Sequence, residues 1–278
     1  MDGGELDLDL LRSLPAETQQ VPLRSPRGVV ERTFRGPMLH AYALKAGLLA
    51  AHSGDRFGAC YFLATASDGF RVTVAFYEVM PSTTSKRVML AYEQDGEPVR
   101  AGIRLVVPGD DLGGRSISGL ATLETREVLN EAPRSADTLA LIGLLERPGP
   151  ADAALIEAGA LQADVDGRRV HGHDTSARSY AGLGVFALLE SAGLKLNPEV
   201  NEDIVGKVIV ARSADGSASV IAAGELEPRF MNGTALVAVR RDGAALEATE
   251  GPYRLVIEYD ANPGRWAKQL VALELREG

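Results

Sequence analysis

The pattern of apolar and polar positions along the chain is written twice. "TFRGPMLHAYALKAGL" (33–48) and "SYAGLGVFALLESAGL" (179–194) place apolar residues at helical spacing and finish on Gly47 and Gly193, residues suited to a helix C-cap. Each predicts a short amphipathic helix. Extended apolar runs follow, "CYFLATA" (60–66) and "KVIVARS" (207–213), and each leads through Asp-Gly into a second run, "FRVTVAF" or "SASVIAA". Asp-Gly between extended runs is a strong hairpin signal, because Gly supplies positive φ and Asp tolerates the left-handed region. Asp68-Gly69 and Asp215-Gly216 are therefore read as turns. The same device returns in "YEQDGEPV" (92–99) and "VRRDGAAL" (239–246).

Each pattern ends alike. "GIRLVVPGDDLGGRSISGLATLETRE" (102–127) and "PYRLVIEYDANPGRWAKQLVALELRE" (252–277) agree without a gap at Arg104/Arg254, Leu105/Leu255, Val106/Val256, Asp110/Asp260, Gly114/Gly264, Arg115/Arg265, Leu120/Leu270, Leu123/Leu273, Glu124/Glu274, Arg126/Arg276 and Glu127/Glu277. Residue usage alone gives roughly two matches over such a window. Order and spacing are kept over the whole unit, so each repeat is read as a domain, not a short solenoid unit. The expected organisation is a first repeat over 1–127, a linker over 128–137 and a second repeat over 138–278. The linker "VLNEAPRSAD" mixes Pro, Asn, Ser and charges without hydrophobic periodicity. "DLDLLRSLPAETQQ" near the start resembles "ADAALIEAGALQAD" (151–164), but the second repeat has an extra strand-like "TLALIGLLERPG" (138–149) ahead of it. The first repeat is thus expected to lack its opening strand or to borrow one. Strands with few helices make each repeat α+β, a mixed, strand-rich sheet core.

Composition narrows the partners. A net charge of −9 works against nucleic acid and anionic membranes as general partners, since both call for clustered Lys and Arg. No window is long and apolar enough for a membrane span, and the acidic start "MDGGELDLDLL" has no signal-peptide pattern. The chain reads as soluble and cytoplasmic as written, or periplasmic if an export signal was removed. One cysteine, Cys60, excludes an intramolecular disulfide and any multi-cysteine metal site.

Helix, apolar run, Asp-Gly hairpin, Glu-x-x-Pro, second Asp-Gly, then "RLVVPGD…GGRSI" or "GPYRLVIEYD…PGRWAK" is an order of motifs that resembles the molybdopterin-binding domain of the sulfite-oxidase fold in its short bacterial form, here in two tandem copies. The resemblance implies a molybdenum pyranopterin as cofactor and an oxidoreductase working with a redox partner protein. In that family a Gly- and Arg-containing stretch ending in Lys contributes basic groups near the pterin phosphate. The matching positions are Gly264, Arg265 and Lys268 in the second repeat and Gly114 and Arg115 in the first, where Ser118 replaces the lysine. Arg offers a planar donor fork to phosphate and Lys a point charge, so the second repeat is expected to be the better binder of a small anion or pterin. The alternative is that Arg115 and Arg265 pair with Asp110 and Asp260 across a loop.

Catalytic members of the family bind molybdenum through a cysteine thiolate, and Cys60 is not at that position; it is read as a small buried hydrophobe. "VHGHD" offers His171 and His173 as metal ligands, which on a strand share one face, with Asp174 placed to orient an imidazole. His40 falls within an apolar helix pattern and is read as packed. Glu78 and Glu225 recur before Pro81 and Pro228 and are read as caps or turn acceptors. Two functional readings result: a molybdopterin-dependent oxidoreductase-like protein without a Cys metal ligand, or a non-catalytic binding or assembly protein that kept the scaffold. Duplicated domains favour a pseudo-twofold contact, within the chain or in a homodimer.

Overall fold

Asp-Gly turns set the corners of both halves. Asp95 and Gly96, and likewise Asp242 and Gly243, all have positive φ, the mirror-image turn whose twist suits a tight antiparallel hairpin. Each Asp also ties its turn to a neighbouring strand: Thr33 N–H donates to Asp95 Oδ1 at 2.9 Å and Ser179 N–H to Asp242 Oδ1 at 2.8 Å. The computed structural model describes residues 2–25, 28–49, 54–84, 86–110, 113–165, 177–230 and 233–278.

The first half runs β1 (Asp2–Glu5), α1 (Leu8–Ser13), β2 (Glu17–Ser25), β3 (Gly28–Gly36), α2 (Leu39–Lys45), β4 (Cys60–Ala66), β5 (Arg71–Ala75), β6 (Met89–Ala91), β7 (Glu93–Gln94), β8 (Glu97–Pro98), β9 (Arg104–Val106) and β10 (Leu120–Glu127). The second runs β11 (Ala140–Gly143), β12 (Gly149–Pro150), α3 (Ala153–Glu157), β13 (Leu161–Val165), β14 (Arg178–Gly184), α4 (Val185–Ser191), β15 (Lys207–Ser213), β16 (Ala218–Ala222), α5 (Ala223–Leu226), β17 (Ala235–Arg241), β18 (Ala244–Ala245), β19 (Arg254–Ile257) and β20 (Leu270–Glu277). Short 3-10 turns at Gly54–Ala59, Phe76–Glu78 and Asp203–Gly206 precede β4, follow β5 and precede β15. The fold is strand-rich with few helices, of mixed α+β class.

The two halves pair their strands alike. One sheet has the order β1-β10-β4-β5 and its counterpart β11-β20-β15-β16, with β12 outside β11. Register agrees too, since Leu123 faces Ala64 and Leu273 faces Ala211. The opening strand differs. β11 lies parallel to β20, whereas β1 occupies the corresponding edge antiparallel to β10. The shorter N-terminal segment thus fills the sheet edge from the opposite direction.

β15 is buried along its whole length and β4 nearly so, which explains why both read as continuous apolar runs instead of alternating ones. Ala59, Tyr61 and Val128 pack against Val208, Val210, Ala218 and Val220, so one half covers the outer face of the other's central strands. The contact is reciprocal: the Gly54–Ala59 turn packs on β16, and the Asp203–Gly206 turn packs on β5. Residues 128–137 have no helix or strand but are pinned to the second half. Glu131 N–H donates to Gly216 O at 2.9 Å, and buried Arg212 holds the Glu131 carboxylate at 2.9 Å and donates to Leu129 O at 3.1 Å.

Candidate functional site

Two buried arginines each anchor a network of buried charges. Arg115 and Arg265 follow the loops after β9 and β19, and they are 0% and 1% exposed. Arg115 Nε donates to Asp110 Oδ2 and its Nη2 to Asp110 Oδ1, both at 2.7 Å, while Nη1 donates to Glu78 Oε2 at 2.9 Å. Arg265 repeats the plan. Its Nε and Nη2 donate to Asp260 at 2.9 and 2.7 Å, and its Nη1 and Nη2 donate to Glu225 at 3.0 and 2.6 Å. An Asp five residues before the Arg supplies one bidentate partner, and the Glu after the second strand of the Asp-Gly hairpin supplies the other. A guanidinium fork matched to carboxylates in this way is the strongest charged hydrogen-bond geometry a protein offers.

Both networks lie where the halves meet. Gly264 sits against Tyr77 of the first half, and a Cβ built on it would stand 1.8 Å from Tyr77 Oη. Gly114 sits against Phe230 of the second half, with a built Cβ 2.7 Å from its ring. The glycine before each arginine is thus the space that admits an aromatic ring from the other half. Tyr77 also lies with its ring centre 5.5 Å from the Arg265 guanidinium, and its hydroxyl donates to Asn262 Oδ1 at 3.3 Å. Opposite, Gly224 occupies the position equivalent to Tyr77 and leaves room for the Arg115 stem, 2.9 Å from a built Cβ. Asn262 Nδ2 donates to Ser82 O at 3.1 Å and Ala261 N–H to Thr83 O at 2.9 Å, which stitches the loop after β19 onto the first half.

The two networks differ in charge. Lys86 places its ammonium 2.7 Å from Glu78 Oε1, and the equivalent position in the second half is Gly233. Burial alone would push the Glu78 carboxyl up, but Arg115, Lys86 and Arg265 outweigh it and hold the group below the usual carboxylate range. Glu225 goes the other way: burial pushes it up and the nearby Glu78 charge adds to that, against Arg265. Burial likewise raises Asp260 despite Arg265.

The structure gives the carboxylate-paired alternative for Arg115 and Arg265. Lys268 does not join them; it is exposed, and its charge acts on Glu250. Ser118 accepts a hydrogen bond from Arg104 Nη1 at 3.1 Å. The Gly-Arg steps do not offer a pterin phosphate a free fork as they stand, because all three guanidinium nitrogens of both arginines donate to carboxylates and both side chains are buried. Cys60 is buried, its thiol 3.4 Å from Arg56 O, and burial with the Glu127 charge pushes it up to about 12, which makes it a poor thiolate ligand. His40 is half-buried on α2, and burial lowers its pKa. His171, His173 and Asp174 lie outside the described residues. Among the described residues no group of three or more His, Cys, Asp and Glu side chains could hold a metal, and no helix is long and apolar enough to cross a membrane.

Sequence reasoning passed over Glu78 and Glu225 as caps. Glu78 does accept from Ala75 N–H at 3.1 Å, yet its main role is to close the Arg115 cage. The signal was present as a recurrence: Glu, Asp and Arg are kept together in both repeats. Compared with protein-family models and with curated proteins, the sequence finds no match.

Proposed function

We propose that the chain is a non-catalytic binding or assembly protein built on a duplicated sulfite-oxidase-like scaffold. One observation carries this reading: the two Gly-Arg steps that resemble pterin-phosphate ligands are spent on four buried carboxylates at the contact between the halves. Residues suited to bind an anion have become the joint of a tandem. The inert position of Cys60 supports the same reading, since a molybdenum-binding member of the family needs an accessible thiolate. Molybdenum analysis and pterin fluorescence on protein purified from its native host test it. The expected result is neither component in stoichiometric amount; stoichiometric molybdenum with pterin restores the molybdopterin-dependent oxidoreductase.

A specific observation favours a second reading, a module for a small anionic ligand. Arg254 pairs with Glu250 at 2.6 Å, but its counterpart Arg104 has no carboxylate partner among the described residues. Arg104 donates to Ser118 Oγ and to Ser116 O at 3.3 Å, its Nε, like that of Arg254, is buried without a hydrogen-bond partner among the described residues, and burial lowers its pKa. A half-buried cation of this kind gains from an anion. Inorganic phosphate should therefore raise the melting temperature of the wild type and leave that of Arg104→Gln unchanged. Equal responses remove the second reading.

A further inference from the structure

The contact between the halves encloses four carboxylates, Glu78, Asp110, Glu225 and Asp260, and three cations, Arg115, Arg265 and Lys86. The first half balances its two acids with Arg115 and Lys86. The second pairs both its acids with Arg265, and Lys86 reaches them only by its charge across the contact, because Gly233 stands where a second lysine would be. Asp260 accepts from Arg265 Nε, from Arg265 Nη2 and, at 3.2 Å, from Trp266 Nε1, whereas among the described residues Glu225 accepts only from Arg265, sharing Nη2 with Asp260. Glu225 is 0% exposed. An ionised carboxylate out of contact with solvent, with a shared cation and a like charge nearby, carries a desolvation penalty that protonation removes.

We infer that Glu225 is held as a neutral carboxylic acid when the halves are docked, and that the contact between them is thereby a pH-sensitive latch that weakens as Glu225 ionises. The neutral acid keeps a carbonyl oxygen for Arg265 and frees Nη2 for Asp260. The buried Tyr259 hydroxyl feels the Glu225 charge more strongly than that of any other residue, and it makes no hydrogen bond among the described residues, to Glu225 included. The groups facing Glu225 are Arg265, Asp260 and Tyr259 from the loop after β19, Glu78 from the Phe76–Glu78 turn, and Lys86. Other charges on the elements packed against α5 are engaged elsewhere: Asp203 with Lys207, Lys207 with Glu277, Arg71 with Glu277, and Arg212 with Glu131. Glu225 itself is raised, chiefly by burial. The sign follows: a raised folded-state pKa contributes stability that is complete below the unfolded value and is lost as pH rises through the folded value.

Two readouts on the full chain test the latch. Infrared difference spectroscopy just above the free glutamate value of roughly 4.3 should show the carbonyl stretch of a protonated carboxylic acid, absent in Glu225→Gln. Urea unfolding at the same pH should find Glu225→Gln within about threefold of wild type in its unfolding constant, without the wild type's loss as pH rises. Glu78→Gln, which removes a partner of buried Arg115, should raise that constant at least about 100-fold. Absence of the infrared band in the wild type overturns the inference, even if a variant fails to fold. So does a Glu225→Gln protein as impaired as Glu78→Gln.

Discussion

Glu78 shows how one side chain can be read correctly in place and wrongly in role. Its recurrence before a proline suggested a cap, and it does accept a backbone N–H; but burial beside Arg115 and Lys86 makes it an ion-pair partner first. Since its folded-state pKa lies below that of the unfolded chain, its ionisation contributes stability present above about pH 4.3 and lost as pH falls through the folded value. Urea titrations across the acid range should show a loss of wild-type stability below about pH 4 that is much smaller in Glu78→Gln. Parallel curves for the two proteins would mean that Glu78 does not carry this dependence. Arg115 and Arg265 teach the same lesson. Their residue type and the glycine before them suit phosphate, and the sequence left carboxylate pairing as the alternative; which acids close the cage depends on side chains more than thirty positions away, beyond local spacing.

At the scale of elements, turns and helix ends were legible because single residues decide them. Asp95-Gly96 and Asp242-Gly243 form the expected hairpins, and α2 and α4 end at Gly47 and Gly193, both with positive φ. The apolar runs of β4 and β15 were legible as strands, but not the reason they fail to alternate, which is burial by the other half. The direction of β1 was hidden as well, since a four-residue strand carries no polarity signal. Gly114 and Gly264 gave no hint that an aromatic ring would claim their missing Cβ. Gly264→Ala should therefore destabilise the fold by about 1–3 kcal/mol, the usual range for overpacking. Thermal unfolding of Gly264→Ala in a Tyr77→Phe background should show a smaller loss, because the atom 1.8 Å from the new Cβ is then gone. Additive losses would place the strain elsewhere.

In the whole molecule, the contact between the halves takes up the motifs that look most functional. The apolar core is continuous across both halves, the linker is pinned by Arg212, and the Gly-Arg steps close the joint from each side. The duplication itself was plain in the sequence; that its two copies face each other through the same motif was not, because no pattern within one repeat reports on the other. Trp266 makes this testable, being the chain's one tryptophan and lying in the second half beside Arg265. Arg115 belongs to the first half, and removing it leaves Asp110 buried without its partner and Glu78 with Lys86 as its remaining cation, a loss of about 3–5 kcal/mol. The decisive measurement is urea unfolding of Arg115→Ala followed by Trp266 fluorescence. One transition is expected, with its midpoint shifted down as far as that of far-ultraviolet circular dichroism. A Trp266 transition left at the wild-type midpoint, with a separate earlier loss of secondary structure, would contradict it.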